Sequence, residues 1–392
     1  MQGNWRGQRV AITGGCGYVG RRLAAQLIRQ GVDLVLLLDL RSFNSEWFEE
    51  GVLERIEYQQ CNICDYPRIL ELLSTYSCKD VIFHLCSFGM SGREQLNMRK
   101  IEQINLGGTK NILDACIELQ IPSLVYTSTT NVCFAGSPLV NQDESTPYAT
   151  NFVDAYSQTK CMAEQAIIKA NGSKLKASTK TLRTCSIRPA GIYGEGEERH
   201  IPRIVDMLYK GLFFFTVGSK DTLVEFIYVD NLVSAHIRAA ERIMKIPLSK
   251  HQNPELPIEE PEELCDEEAE RIKDMVSGQA YFVSDCEPVN NFEFFRPLIE
   301  GLGYSYPFIA LPTFLMYYIA WMIEVIHRVV SRFINFQPLT RTEISKVSVT
   351  HYFKPDKSRD ELGYVPFVTM EEGMKRVVDH VKQNNPPPHL RK

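Results

Sequence analysis

Four short apolar runs, separated by helix-like stretches, constrain this chain more than anything else in it. They are "RVAIT" (9–13), "DLVLLLD" (33–39), "DVIFHL" (80–85) and "SLVYTS" (123–128), with the more polar "RIEYQQ" (55–60) among them. The runs are near-continuous rather than alternating, so each reads as a strand covered on both faces. Helical patterns such as "GYVGRRLAAQLIRQG" and "IEQINLGGTKNILDACIELQ" lie between them at βαβ spacing. A parallel sheet flanked by helices satisfies that alternation. The expected fold is therefore α/β, a Rossmann-type doubly wound parallel sheet over residues 1–188.

After "TLRTCSIRP" (181–189) the pattern becomes irregular and richer in proline and aromatic residues. A smaller, mostly helical substrate lobe is expected over 189–385. Two later runs, "VEFIYV" and "AYFVSD" (near 225–230 and 280–285), are expected to return to the first sheet. Residues 247–277 are strongly acidic and read as a solvated insertion. Residues 386–392 read as a disordered tail.

A net charge of −5 gives no basic stripe for nucleic acid, so no nucleic-acid partner is expected. Eleven cysteines are scattered, and "MQGNWRGQRVAITGG" has no apolar signal core. Reduced thiols on the cytoplasmic side are expected. "CNIC" (Cys61, Cys64) is the only CxxC and has no second ligand pair, so no metal site is expected.

The chemistry begins at "TGGCGYVG" (13–20), which follows a strand and opens a helix. Gly14 permits the tight turn, Gly17 lets backbone approach a pyrophosphate, and Gly20 lets the helix pack on the sheet. The helix start, Tyr18 and Val19, then offers N–H groups to phosphates. Asp39 ends the second strand, 19 residues beyond Gly20, where a carboxylate accepts from ribose hydroxyls. It also repels a 2′-phosphate: two unit charges about 4 Å apart interact by roughly 4 kcal/mol at an effective dielectric near 20. NAD is expected over NADP, with Arg41 as the cation that works against that preference.

The helix "DAYSQTKCMAEQAI" (154–167) carries Tyr156 and Lys160 four apart, hence on one face. An ammonium one turn away is expected to pull the phenol towards working pH, making Tyr156 a base and Lys160 its helper. Ser128 and Thr129, in "YTSTT" at the end of the fifth strand, offer the hydroxyl that holds the substrate oxygen. Asn105 reads as a structural hydrogen-bonder and His84 as a satisfied core histidine.

Together these motifs resemble an extended short-chain dehydrogenase/reductase of the 3β-hydroxysteroid dehydrogenase/isomerase branch, most similar to family 42E members. "FGMSGREQLN", "INLGGTKNIL", "RTCSIRPAGIYG", "VEFIYVDNLVSAHI" and "PVNNFEFFRPLIEGLGY" carry the likeness along nearly the whole chain. The resemblance implies Tyr156 as base, Lys160 as helper and ribose contact, and Thr129 as substrate-oxygen donor, with Pro189 and the "CNI" step among the cofactor contacts. There Asn62 stands where the family has an acid, beside Ile63, and would read adenine as an amide. It implies an NAD(P)-dependent oxidoreductase acting on the CH–OH of an apolar, steroid- or sterol-like 3-hydroxy substrate, with isomerase activity and steroid biosynthesis as further implications. A nucleotide-sugar epimerase or dehydratase is the enzyme alternative, with "RHIPR" (199–203) supplying cations. A non-catalytic dinucleotide-binding scaffold is the other. The apolar segment 308–334, around "LPTFLMYYIAWMIEVIHRVV", reads as pocket lining, core or a membrane-surface helix, Glu324 interrupting a full span. Association with the endoplasmic reticulum membrane and a homodimer are the corresponding expectations.

Overall fold

In this computed structural model, residues 5–246, 271, 274–330 and 340–388 are described. The expected acidic insertion falls largely outside them, as do residues 331–334 of the apolar segment and residues 389–392 of the tail.

The near-continuous apolar runs are explained by where alternate side chains go. Val10 and Ile12 of β1 (Arg9–Thr13), Val35 and Leu37 of β2 (Leu34–Asp39), and Val81 and Phe83 of β4 (Val81–His84) all pack into one core. Their neighbours Ala11, Leu36, Leu38 and Ile82 pack into a second core on the opposite face. The first core is closed by α1 (Tyr18–Arg29) and helix Val229–Met244, the second by helices Tyr66–Thr75, Thr109–Glu118 and Ala155–Ala170. A strand buried on both sides has no place for a polar alternate, which is the pattern in the sequence.

The sheet has seven parallel strands in the order Gln279–Val283, Arg183–Pro189, β5 (Ser123–Thr127), β4, β1, β2, β3 (Ile56–Gln60). The chain runs outward from β1 through β2 to β3, then returns to place β4 on β1's other side. Thr13 is paired with both Leu38 and His84. That reversal opens a crevice at the carboxyl ends of β1 and β4, where open α/β sheets bind ligands.

The division near residue 189 is not linear. Of the two later runs, Gln279–Val283 joins the main sheet beside Arg183–Pro189. Phe226–Tyr228 does not; it pairs with Gly191–Tyr193 in a separate two-stranded ribbon. It has only three paired residues, and helix Val229–Met244 starts directly after it to cover the main sheet. The remaining lobe combines that ribbon with helices His200–Tyr209, Thr313–Val330, Arg341–Ser348 and Met370–Asn384. Helix Thr313–Val330 buries Met316 and Ala320 against Val217 and Ile344. No helix among the described residues is long and apolar enough to cross a membrane.

Candidate active site

The glycine loop is shaped by backbone proximity. Gly14 has φ +71° and donates its N–H to the Leu38 carbonyl at 2.8 Å, and Gly17 donates to the Gly14 carbonyl at 3.0 Å. A Cβ on Gly20 would stand 2.4 Å from the Gly14 oxygen, so only glycine lets α1 lie this close to the turn. A Cβ on Gly14 would stand 3.0 Å from the Cys86 backbone, which brings the residues after β4 to the same crevice. Gly17 is the N-cap of α1 and no side chain caps that helix, so its first N–H groups are presented to a ligand. The side chains of Tyr18 and Val19 pack towards the lobe's core; these residues face the crevice through their backbone.

Asp39 closes the adenosine end. Its carboxylate accepts from the Cys16 N–H at 3.0 Å and from the Arg41 N–H at 2.9 Å. Asn62 is exposed, with its side-chain oxygen accepting from the Cys64 N–H at 3.0 Å. The Ile63 side chain instead belongs to the core beneath Gly108, where a Cβ would come within 2.4 Å of it. Pro189 ends its strand at the same edge of the sheet, paired with Val283. An uncapped helix start, a glycine cradle and a strand-end carboxylate together fit a dinucleotide.

Asp154 starts the helix Ala155–Ala170 by accepting from the Ser157 N–H at 2.6 Å, and its other oxygen meets Lys346 at 2.7 Å. This fixes the helix between sheet and lobe. Tyr156 and Lys160, one turn apart, are 5% and 1% exposed. The Lys160 ammonium donates to the Thr127 carbonyl at the end of β5 and lies 4.1 Å over the Tyr126 ring. Burial draws Lys160 down to about 7, opposed by the Glu164 carboxylate and the Cys86 sulfur.

The expected tuning of Tyr156 by Lys160 is not found. Burial pushes the Tyr156 phenol up to about 12, and the groups pulling it back are the Arg199 guanidinium and the Ser87 hydroxyl. The i,i+4 spacing sets both side chains on one face, but the long lysine stem carries its charge on to Thr127.

Ser128 and Thr129 are both buried at the end of β5 and have different surroundings. The Ser128 hydroxyl lies near enough to Glu164 to favour a lowered carboxyl, yet it is buried without a hydrogen bond of standard geometry. Thr129 caps the turn Thr130–Val132, its oxygen accepting from the Asn131 N–H at 3.2 Å. Beneath them Glu164, fully buried, takes Arg188 at 2.7 Å and Ser186 at 2.8 Å. Burial pushes Glu164 up, and Arg188 with the serine hydroxyls outweighs it, so the carboxyl stays below its usual range.

Asn105 bridges the site from below: its side-chain oxygen accepts from the Phe88 N–H at 2.8 Å, while its amide donates to the Phe88 carbonyl at 2.9 Å and to Thr159 at 3.1 Å. His84 is held between Thr13 at 2.6 Å and Thr109 at 2.8 Å, and burial keeps it neutral, near 3. The sequence pattern did not point to Ser87, Tyr126 or the Glu164–Arg188 pair, and it offered Arg199 only as a cation of "RHIPR", not as a partner of Tyr156. Glu164 had a visible signal, four residues after Lys160; the approach of Arg199 to Tyr156 had none, because a distant loop makes it.

Comparison with known proteins follows the same lines. The profile of the 3-beta hydroxysteroid dehydrogenase/isomerase family matches residues 11–313. The chain is 45% identical over 369 residues to short-chain dehydrogenase/reductase family 42E member 1 of Danio rerio, covering 93% of this chain and 87% of that protein. It is 32% identical over 390 residues to 3beta-hydroxysteroid-dehydrogenase/decarboxylase isoform 1 of Arabidopsis thaliana, covering 96% and 81%. Among solved structures, the UDP-glucose 4-epimerase of Thermus thermophilus in complex with NAD shares its fold, with TM-score 0.66 at 17% identity over 96% of this chain and all of that one.

Proposed function

This chain belongs to the 3-beta hydroxysteroid dehydrogenase/isomerase family, and from that premise we propose that it oxidises a secondary alcohol on an apolar, steroid- or sterol-like skeleton. The observation that carries this reading is the buried Tyr156–Lys160 pair at the sheet edge that also bears the glycine cradle. A helix face devoted only to packing has no need to bury both the Lys160 ammonium and the Glu164 carboxylate, the latter paired with Arg188 of the neighbouring strand.

In the proposed reaction the glycine loop, the start of α1 and Asp39 would hold NAD, which would supply the acceptor for the hydride on the carbinol carbon. Tyr156 accepts the hydroxyl proton in its phenolate form, which the Arg199 guanidinium and the Ser87 hydroxyl favour against burial, and Thr129 holds the substrate oxygen from the end of β5. Lys160, held on the Thr127 carbonyl, would orient the nicotinamide ribose. Helix Ala155–Ala170 and the Phe88 loop, joined by Asn105, keep water from the reacting atoms. Asp39 favours NAD over NADP by repelling a 2′-phosphate.

Two observations support an apolar substrate over a nucleotide-sugar. Arg203, a candidate cation for a diphosphate, is paired with Glu343 at 2.8 Å, and burial disfavours the charged form of His200. The lobe instead exposes Phe214, Phe308, Phe314, Tyr318 and Trp321, an apolar surface suited to a membrane that holds such substrates. The described cysteines are free thiols, which suits the cytoplasmic face of that membrane.

The test is NADH formation by the purified chain across a panel of 3-hydroxysteroids, sterols and UDP-sugars. Turnover of a 3-hydroxysteroid to the ketone supports the proposal, and a conjugated enone product adds isomerisation. Turnover confined to UDP-sugars overturns it.

A further inference from the structure

The loop "GEGEER" (194–199) holds three carboxylates, and each has a separate task. Glu195 meets Arg22 at 3.1 Å and accepts from the Tyr228 hydroxyl at 2.5 Å, pinning the loop to α1. Glu197 accepts from the N–H groups of Arg199, His200 and Ile201 at 2.7–2.8 Å, so it starts helix His200–Tyr209. Glu198 ties the loop both to α1 and to the residues after β2. One of its oxygens takes Arg21 at 2.8 Å and the other takes Arg41 at 2.8 Å. Arg21 also donates to the Gly196 carbonyl at 3.1 Å.

Those two arginines flank the adenosine end of the crevice. Arg21 is in the first turn of α1, after the glycine loop, and Arg41 is two residues beyond Asp39, whose carboxylate accepts its N–H. Both Asp39 and Arg41 act on the Cys16 thiol within the glycine loop, so Arg41's charge is felt there. Guanidiniums in this position are the groups that would receive a 2′-phosphate by paired hydrogen bonds. A carboxylate already holding both of them removes that welcome.

We propose that Glu198 is a cofactor-specificity determinant: by clasping Arg41 and Arg21 it withholds the two cations that would otherwise accept the 2′-phosphate of NADP. The inference rests on the dinucleotide reading of the crevice and adds a second guard to it. Asp39 repels the phosphate directly, whereas Glu198 acts through its arginine partners and is a positioning residue. The clasp is partly exposed, with Arg41 and Glu198 side chains 51% and 40% accessible, so its effect is modest and screened by salt. The same exposure makes substitution compatible with folding.

Calorimetric titration of the full chain with NAD and with NADP tests this without any substrate. Glu198→Gln should tighten NADP by about three- to tenfold and leave NAD within about twofold. Adding Arg41→Ala to that variant should abolish the gain. A clasp with only a structural role would weaken both dinucleotides together. An unchanged NADP-to-NAD ratio in Glu198→Gln, or a gain that survives Arg41→Ala, overturns the proposal while leaving the dinucleotide reading intact. Wild-type chain that binds neither dinucleotide overturns both.

Discussion

Helices Ala155–Ala170 and Thr313–Val330 break the same rule in opposite directions. The first is polar in sequence, yet it buries Tyr156, Ser157, Thr159, Lys160 and Glu164. The second is strongly apolar, yet Phe314, Tyr318 and Ile326 are 67%, 64% and 53% exposed. Buried polar groups are costly unless they are paired, and here each charge has a named partner: Lys160 on the Thr127 carbonyl and Glu164 on Arg188. Exposed aromatic side chains cost little singly. Phe308, Ile309, Phe214 and Leu212 of the same lobe are exposed as well. The difference separates two proposed kinds of function: chemistry on one helix, and contact with an apolar environment on the other.

The sharpest way to break this contrast is to remove chemistry from the first helix without disturbing its packing. Tyr156→Phe deletes one hydroxyl and should lower turnover by about 10³-fold or more, with NAD affinity and fold retained. Lys160→Ala should lose activity and also weaken NAD, because the ammonium held on the Thr127 carbonyl is the group placed to orient the ribose. Thr129→Ala should cost about 10²–10³ in turnover, as for one positioned donor to a reacting oxygen. Steady-state kinetics beside calorimetry checks all three; a Tyr156→Phe enzyme as active as wild type would reduce the helix to packing.

The second helix should respond in the opposite sense. Phe314→Glu with Trp321→Glu replaces two exposed rings by charges, and burial of each ring in a membrane is worth about 1.5–3 kcal/mol. Binding to liposomes should fall by about tenfold or more, while turnover of a substrate supplied in detergent stays unchanged. Wild-type protein that does not float with liposomes would leave the exposed face without the proposed membrane role.

A smaller effect probes the cost of burying Lys160. Its folded-state value is near 7, whereas an unfolded lysine titrates near 10.4. Between those values the unfolded chain holds a proton that the folded site has released, so stability rises with pH across that window. Lys160→Met should remove this rise, flattening the slope by up to about 1.4 kcal/mol per pH unit. Urea unfolding of cofactor-free protein at several pH values above 7 measures it. Parallel slopes for wild type and variant would mean that the buried ammonium keeps its proton.

The sequence made the catalytic helix more legible than the apolar one, for physical reasons. The glycine spacing, the strand-end Asp39 and the i,i+4 pair are local signals, and each is where its local pattern placed it. The strands were legible because both faces of the sheet are covered, which leaves apolar runs with no polar alternates. "VEFIYV" was misleading because a run of that length fits a main-sheet strand as well as the short ribbon it forms with Gly191–Tyr193. Spacing also fixed the direction of the Lys160 side chain without fixing where its flexible stem ends, so its link to the Thr127 carbonyl was not foreseen. Arg199 and Ser87 reach Tyr156 only through the packing of separate loops, and Glu198 reaches Arg41 across 157 positions of chain.

The central claim is that Tyr156 and Lys160 serve hydride transfer from an apolar secondary alcohol. The most direct measurement follows that hydrogen: the chain is incubated with NAD and a 3-hydroxysteroid deuterated at its carbinol carbon, and the dinucleotide is analysed by mass spectrometry. The account predicts deuterium in NADH together with the 3-ketone from wild-type protein, and neither from Tyr156→Phe. Ketone formed with no deuterium in the dinucleotide, or label transferred equally by Tyr156→Phe, would contradict it.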